Sequence, residues 1–190
     1  MMKRDEALRV LAQHVPNDIV VGAYSTAFDW IAIRPGHPLN YMSVGAMGLA
    51  SSHGLGLALA CPERKVIVLD GDGSLLMNLG SLVTIANAAP RNLVHFVNEN
   101  GSYEANGGHP IPGRGTLSFA GLARSAGYRN VHEFSDLATF RAQIADVLKA
   151  EGPIFVDMKV VAGAEVPQDY GALYAPATRV AFRQAINAPR

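Results

Sequence analysis

Short apolar stretches alternate along this chain with longer segments of helical spacing, and this alternation constrains the fold more than any other feature. The stretch Val66–Asp70 reads VIVLD and the stretch Leu93–Val97 reads LVHFV, so their apolar residues are nearly continuous. Such runs are typical of strands in a parallel sheet that is covered on both faces, whereas a half-exposed strand alternates apolar and polar residues. The sequence therefore predicts an α/β fold with a doubly wound, mainly parallel sheet.

Strands and helices are predicted to follow one another along the whole chain. Strands are predicted at Ile19–Val21, Tyr41–Val44, Val66–Asp70, Leu93–Val97, Asn130–Glu133 and Ile154–Val160. Helices are predicted at Lys3–Val15, Gly48–Cys61, Ser74–Ala88, Ser118–Ala126, Asp136–Glu151 and Ala177–Ala188. The stretch Tyr24–Pro38 is ambiguous between a short helix and a loop. We expect Asn98–Leu117 to form one long loop, and a loop of that length in a compact domain is usually functional or disordered.

Composition narrows the class of protein. A chain of 190 residues fits one domain, residues 1–190, better than two. Sixteen basic residues balance sixteen acidic ones, so no excess of positive charge indicates a nucleic-acid or anionic-membrane partner. The lone Cys61 excludes an internal disulfide and an iron–sulfur cluster held by cysteines, and it fits a reducing, cytoplasmic location. No apolar run approaches the length of a membrane helix, and no export signal is indicated.

The segment DGDGS at residues 70–74 is the strongest indication of chemistry. It ends a predicted strand, turns through Gly71, Asp72 and Gly73, and begins a predicted helix with Ser74 in the N-cap position. Backbone N–H groups at a helix start favour anions, and glycines let a phosphate approach closely. A carboxylate at Asp72 would recruit Mg²⁺ to such a phosphate.

Two common nucleotide fingerprints do not fit this turn. A P-loop requires a lysine before Ser74, where the chain has Gly73. A dinucleotide-binding turn requires a third glycine where Leu76 stands. The phosphate ligand is therefore expected to be held in another way.

Further metal ligands are expected from the next predicted strand. Asn100 follows Asp72 by 28 residues and lies just beyond the strand that ends at Val97. Parallel neighbouring strands end at the same edge of a sheet, so the two residues should lie close together. The amide oxygen of Asn100 and the backbone carbonyl of Ser102 are neutral oxygen donors that suit Mg²⁺.

With these residues identified, the sequence resembles the thiamine diphosphate-dependent enzymes, whose metal motif is Gly-Asp-Gly followed by Asn beyond the next strand. Within that family it is most similar to the diphosphate-binding (beta) subunit of sulfopyruvate decarboxylase and to phosphonopyruvate decarboxylase. The similarity runs from MKRDEALRVL through SVGAMGLASSHGLGLALA and DGDGSLLMNLGSL to the loop around Asn100. It implies the thiamine diphosphate-binding fold, with thiamine diphosphate and Mg²⁺ as cofactors.

The resemblance also implies roles for individual residues. Asp72, Asn100 and the carbonyl of Ser102 would bind Mg²⁺, and Met47 would hold the cofactor in a bent conformation. The expected cofactor-binding residues are Gly45, Ala46, Met47, Gly71, Asp72, Gly73, Ser74, Asn100, Ser102 and Tyr103. Met47 and Tyr103 also fit ordinary packing roles. His109 is the candidate catalytic residue because it could donate a proton or bind a substrate carboxylate, although a solvated loop histidine fits equally well.

In this family the cofactor also needs a glutamate from a pyrimidine-binding domain, for which the chain has no room. The resemblance thus implies a hetero-oligomer in which an alpha subunit supplies that glutamate, and the helix rich in small residues at 48–60 is a candidate interface. The implied reaction converts a small 2-oxo acid to an aldehyde and CO₂. Two alternatives remain open: a half-site of acetolactate-synthase type, and a non-catalytic module that binds or senses the cofactor.

Two stretches depart from the sulfopyruvate and phosphonopyruvate pattern, and both departures concern the substrate. Ser25 is followed by Thr26 and Ala27 instead of Lys or Arg and then Glu. Glu104 replaces a glycine beyond the metal asparagine, and a carboxylate there would repel an anionic sulfonate. Another 2-oxo acid is therefore also expected as a candidate.

Overall fold

The computed structural model describes residues 1–42, 47–163 and 166–188. Its central sheet contains seven strands, all paired in parallel, in the order β3-β2-β4-β5-β9-β8, with β1 beside the end of β9. These strands are β1 (Met2–Lys3), β2 (Ile19–Gly22), β3 (Asn40–Met42), β4 (Val66–Gly71), β5 (Leu93–Glu99), β8 (Asn130–Phe134) and β9 (Ile154–Val161). A separate antiparallel hairpin joins β6 (Ser102–Tyr103) to β7 (His109–Pro110).

Helices cover both faces of the sheet. Their bounds are α1 (Arg4–His14), α2 (Tyr24–Ile33), α3 (Ala50–Ala60), α4 (Asp72–Met77), α5 (Ser81–Ala88), α6 (Phe119–Ala126), α7 (Leu137–Val147), α8 (Tyr170–Leu173) and α9 (Pro176–Asn187). Apolar side chains of α1, α2 and α7 form one core cluster with the sheet, and those of α3 to α6 and α9 form the other. Alternate residues of β9 divide between the two clusters, because Val156 belongs to the first and Phe155 to the second. The expected doubly wound parallel sheet is confirmed.

Helix α3 packs unusually close to the sheet. A Cβ placed on Gly54 would lie 2.2 Å from Cγ2 of Val68 in β4, which leaves no space for any side chain at that position. By contrast, a Cβ on Gly56 would meet nothing within 4 Å. The small-residue helix was predicted as a candidate interface, and at Gly54 the surface that approaches it is a strand of the chain's own sheet.

Three predicted elements differ in the structure. The predicted helix Ser74–Ala88 is two helices, because Asn78 ends the first and its amide Nδ2 donates to the carbonyl of Gly48 instead of facing solvent. The predicted loop Asn98–Leu117 contains the end of β5, the β6–β7 hairpin and a 3₁₀ turn at Glu104–Asn106. The ambiguous stretch Tyr24–Pro38 begins as α2 and continues as a loop.

The ends of other elements also shift. The predicted strand Tyr41–Val44 is β3, of which the part at 43–44 lies outside the described residues. The predicted helix Asp136–Glu151 ends at Val147, while Asp136 is its N-cap and accepts from the N–H of Thr139. Strand β1 and helix α8 were not predicted, since each is too short to show periodicity. Within the part of the chain that the structure covers, no helix is both long and apolar enough to span a bilayer.

Candidate functional site

Strands β4 and β5 deliver the two predicted metal ligands to the same edge of the sheet. Gly71 at the end of β4 is in register with Asn98 in β5, so the residues that follow each of them emerge together. Asp72 is the first residue of α4, and its carboxylate oxygens accept from the N–H of Gly73 at 2.7 Å and from the N–H of Gly101 at 2.6 Å. The side chain of Asp72 therefore joins the two loops on which the metal site was predicted.

The carboxylate of Asp72 is nearly inaccessible to solvent. Only 2% of the residue is exposed. Burial raises the pKa of Asp72, while the hydrogen bonds from the backbone of Gly101 and Gly73 oppose that rise. A hard divalent ion beside this buried carboxylate would favour its charged form.

Ser74 has a different role from the predicted N-cap. The helix begins two residues earlier than expected because Gly71 takes an extended conformation and forms the cap position. The hydroxyl of Ser74 accepts instead from the N–H of Gly48, at 2.9 Å. Together with the bond from Asn78 to the carbonyl of Gly48, this contact fixes the turn at Met47 and Gly48 beside α4. Gly45 and Ala46, also predicted to bind the cofactor, lie outside the described residues.

Two glycines shape the site, each in its own way. A Cβ on Gly73 would lie 2.5 Å from the ring of Tyr103, so the ring occupies the space that any side chain at 73 would need. A Cβ on Gly71 would meet no atom of the described residues within 4 Å, which leaves space among them beside the end of β4. Gly71 therefore lets a ligand approach the backbone. The lack of a side chain at Gly73 leaves room for the ring of Tyr103.

A cavity opens between these loops and the start of α2. Every predicted cofactor-binding residue within the described ranges lines it: Met47, Gly71, Asp72, Gly73, Ser74, Asn100, Ser102 and Tyr103. The structure thus brings these residues together around one space, and cofactor binding by each of them stays a prediction. Tyr24, the first residue of α2, also lines the cavity and has a φ of 50°. This value is strained for a bulky side chain, and backbone strain of this kind is common at ligand sites.

The predicted catalytic residue, His109, lies outside this cavity. His109 lies in β7 of the hairpin, is exposed, and is not among the residues that line the cavity. The structure does not bring His109 together with Asp72 and Asn100. Its role in proton transfer stays a prediction.

Arg4 was not predicted as a site residue, but it lines the cavity although it lies in the first helix. The guanidinium of Arg4 donates from Nε to Asp29 in α2 at 2.5 Å, and from its two terminal nitrogens to both carboxylate oxygens of Glu104. Arg4 and Asp29 are buried, and Glu104 is about one-third exposed. No local sequence pattern shows this triad, because Arg4 and Glu104 are 100 residues apart.

Asn98 also lines the cavity and was not predicted. Its Nδ2 donates to the carbonyl of Asp70 at 3.0 Å, which leaves its Oδ1 buried without a hydrogen-bond partner. Buried polar atoms nearly always have a partner, so an unpaired oxygen in a cavity wall fits a site for a polar ligand. Among the described residues no group of three His, Cys, Asp or Glu side chains is placed to hold a metal. A metal here would therefore take few protein ligands, as Mg²⁺ does when phosphate oxygens complete its shell, and the donors present fit a Mg²⁺-bound diphosphate.

A parallel sheet whose carboxyl edge carries these donors around a cavity defines an α/β domain suited to a phosphate-bearing ligand. The protein family described as "Thiamine pyrophosphate enzyme, C-terminal TPP binding domain" matches residues 21–158. The chain therefore belongs to the thiamine pyrophosphate enzymes. This membership confirms the fold and the cofactor, thiamine diphosphate, that the sequence predicted, and Mg²⁺ is the usual metal of the family.

Two relatives and one solved structure agree with this membership. A sulfopyruvate decarboxylase subunit beta from Methanothermobacter thermautotrophicus is 38% identical over 171 residues, which cover 88% of this chain and 87% of that subunit. A phosphonopyruvate decarboxylase from Streptomyces hygroscopicus is 38% identical over 160 residues, which cover 82% of this chain. The chain spans less than half of the length of the phosphonopyruvate decarboxylases it matches. An X-ray structure from Mycobacterium smegmatis, assigned to the thiamin diphosphate-dependent enzymes, has the same fold, with a TM-score of 0.72 at 21% identity over 84% of this chain and 32% of that one.

Proposed function

We propose that this chain is the diphosphate-binding subunit of a split thiamine diphosphate-dependent 2-oxo acid decarboxylase. The observation that carries the proposal is the junction of the two predicted metal loops, where the carboxylate of Asp72 accepts from the N–H of Gly101 next to Asn100. The likeness to a sulfopyruvate decarboxylase beta subunit over almost its whole length supports the choice of reaction. We propose one domain for residues 1–190.

In this proposal five residues that line the cavity have specific tasks. Asp72, Asn100 and the carbonyl of Ser102 hold Mg²⁺, and Gly71 leaves space for the diphosphate. When bound, thiamine diphosphate supplies the carbon nucleophile and the electron sink that the loss of CO₂ requires. Met47, held by the turn at Gly48, lines the same cavity and would limit the conformations of a bound cofactor.

The proposed partner is an alpha subunit that supplies the activating glutamate. The similarity to a protein named subunit beta supports a second chain. Large apolar side chains are exposed on α3, α4 and α5, namely Leu59, Met77 and Val83, each more than half accessible. Exposed apolar side chains are frequent at protein interfaces, so helices α3, α4 and α5 are the proposed contact with the alpha subunit.

The proposed substrate is a small 2-oxo acid with an anionic tail. The sequence suggested that Glu104 would repel a sulfonate, but the structure pairs both oxygens of that carboxylate with the guanidinium of Arg4. Arg4 also pairs with Asp29, so the charge of Glu104 is compensated in part, and a sulfonate is the first tail to test. The single cysteine, Cys61, is buried and free, which supports a reducing compartment such as the cytoplasm as the proposed location.

The test is co-expression with the alpha subunit, followed by CO₂ release from a panel of 2-oxo acids that carry sulfonate, phosphonate, carboxylate or methyl tails. We expect Mg²⁺-dependent turnover of at least one anionic substrate and no turnover by either chain alone. Asp72→Ala should lower the affinity for thiamine diphosphate in the presence of Mg²⁺ by at least about a hundredfold, because a direct metal ligand is lost. Turnover by this chain alone contradicts the split enzyme. Cofactor binding without turnover of any 2-oxo acid supports a non-catalytic module instead.

A further inference from the structure

The side chain of Asn100 is anchored at both ends of its amide. Its Nδ2 donates to Oε2 of Glu104 at 2.8 Å. Its Oδ1 accepts from the N–H of Ser102 at 2.8 Å and from the hydroxyl of Ser102 at 3.1 Å. Both ends of the amide are therefore assigned by their neighbours.

The contact with Glu104 fixes which end of the amide is which. An ionised carboxylate can only accept hydrogen bonds, so the group that faces it must be the NH₂ of Asn100. The oxygen then lies on the opposite side, toward Ser102, whose N–H and hydroxyl use both of its lone pairs. The hydroxyl of Ser102 can rotate, which leaves one of these lone pairs for a cation. Only the oxygen of an amide binds Mg²⁺, so an amide turned the other way would present NH₂ to the cation and repel it.

The carboxylate of Glu104 is itself held in place by Arg4. Both of its carboxylate oxygens accept from Arg4, in the bidentate geometry that suits a guanidinium and a carboxylate. Arg4 is buried and is bound in turn to Asp29 in α2. The chain of contacts from α2 through α1 to the 3₁₀ turn thus connects one face of the sheet to the loop that carries Asn100.

We propose that Glu104, held by Arg4, is a positioning residue that orients the amide of Asn100 with its oxygen available to Mg²⁺. The inference rests on the proposed function of this site.

A purely electrostatic role for Glu104 predicts a different pattern. Arg4, Asp29 and Glu104 together carry one excess negative charge, which attracts a cation and disfavours a diphosphate nearby. If charge alone mattered, Glu104→Gln and Glu104→Met would weaken the binding of the metal equally, because both remove the charge. If orientation matters, Glu104→Met weakens the binding of the metal more than Glu104→Gln does, because only the glutamine keeps an oxygen that accepts from Asn100.

The experiment measures the affinity for Mn²⁺ by electron paramagnetic resonance at a fixed excess of thiamine diphosphate, with the full protein and its alpha subunit. We expect Glu104→Met to weaken Mn²⁺ binding by about ten- to a hundredfold, the range typical of changes behind a metal ligand. Glu104→Gln should lose less, because its amide oxygen can still accept from Asn100. Glu151→Gln is the matched control, since Glu151 pairs with Arg91 at 3.0 Å on the exposed surface.

A double-mutant cycle separates orientation from a general effect on structure. Asn100→Asp gives the ligand two equivalent oxygens, so its orientation no longer matters. In that background Glu104→Met should weaken Mn²⁺ binding much less, because only the loss of a nearby negative charge remains. An equal loss in both backgrounds would overturn the positioning role, as would unchanged or tighter binding in the single variant.

The same measurement distinguishes the two proposals. If the unaltered protein does not bind Mn²⁺ with thiamine diphosphate, the proposed function fails before Glu104 is tested. If Glu104→Met does not fold, Glu104→Gln in the two Asn100 backgrounds completes the cycle, and a cost only beside the native asparagine supports the role. Thermal unfolding of each variant shows which of them can be compared.

Discussion

Two buried charge networks lie at the carboxyl edge of the sheet, and they are satisfied to different degrees. In the first, Arg4 donates hydrogen bonds to Asp29 and Glu104. Glu104 also accepts from Asn100, which lines the cavity. In the second, Lys159 alone contacts three carboxylates, those of Glu99 at 2.5 Å, Asp157 at 2.9 Å and Glu133 at 3.5 Å. The second network contributes none of the residues that line the cavity.

The difference lies in the number of donors. The planar guanidinium of Arg4 binds two carboxylates in fixed directions, whereas the ammonium of Lys159 must serve three. Asp157 is fully buried and its Oδ1 has no hydrogen-bond partner among the described residues. Burial is the main reason that the pKa of Asp157 rises to about 7, with the charge of Glu99 adding to it and Lys159 opposing it. The first network is therefore built to hold a fixed geometry, and the second leaves one carboxyl group responsive to pH.

The largest effect is expected from Arg4→Met. This change leaves Asp29 buried without a cation and frees Glu104, so we expect the free energy of unfolding to fall by about 3–5 kcal/mol. Urea unfolding of the purified protein measures the loss. The double variant Arg4→Met with Asp29→Asn should recover part of it, and a loss below about 1 kcal/mol in the single variant would show that the first network is not the rigid one.

A smaller effect is expected from Lys159→Met. Lys159 is one-fifth exposed and Glu133 about half exposed, so water can solvate part of the charge that remains. We expect a loss of about 1–3 kcal/mol at pH 8, and less at pH 5, where Asp157 holds its proton. Urea unfolding at the two pH values measures the loss, with Lys149→Met as control, because that lysine pairs with Asp146 on the exposed surface. Equal losses at both pH values would show that the loss does not depend on the protonation of Asp157.

The smallest effect on stability at low pH is expected from Asp157→Asn. Since the folded state holds the proton of Asp157 up to about pH 7 and the unfolded state releases it near pH 4, folding binds a proton between these values. Stability contributed by this group is therefore present at low pH and is lost as the pH rises through 7. The variant should lose about 2–3 kcal/mol less than the unaltered protein between pH 5 and pH 8. Parallel pH profiles of the two proteins, measured by urea unfolding, would contradict the raised pKa.

The sequence allowed the sheet and the metal loops to be predicted because both depend on local patterns. Continuous apolar runs indicated β4 and β5, and the positions of Asp72 and Asn100 just beyond them placed both at one edge. The break between α4 and α5 was not predictable in the same way. It depends on the contact of Asn78 with Gly48, 30 residues away, and the helical periodicity continues through it.

The contacts that hold Glu104 and Asn98 at the site were also not predictable from local sequence patterns. Glu104 looked like an unpaired negative charge, because nothing near it in sequence offers a cation. Its partner Arg4 is brought to it only by the packing of α1 against the sheet. Similarly, the unpaired oxygen of Asn98 becomes visible only when the carbonyl of Asp70 on the neighbouring strand takes its NH₂ group.

The contact between Gly73 and Tyr103 links two positions that belong to different loops. Since the aromatic ring fills the volume of the missing Cβ, an alanine at 73 cannot be introduced without moving the ring out of the cavity wall. The two positions should thus be inherited or redesigned as a pair, with a smaller residue at 103 wherever 73 gains a side chain. Libraries that vary the pocket one site at a time would discard every such combination.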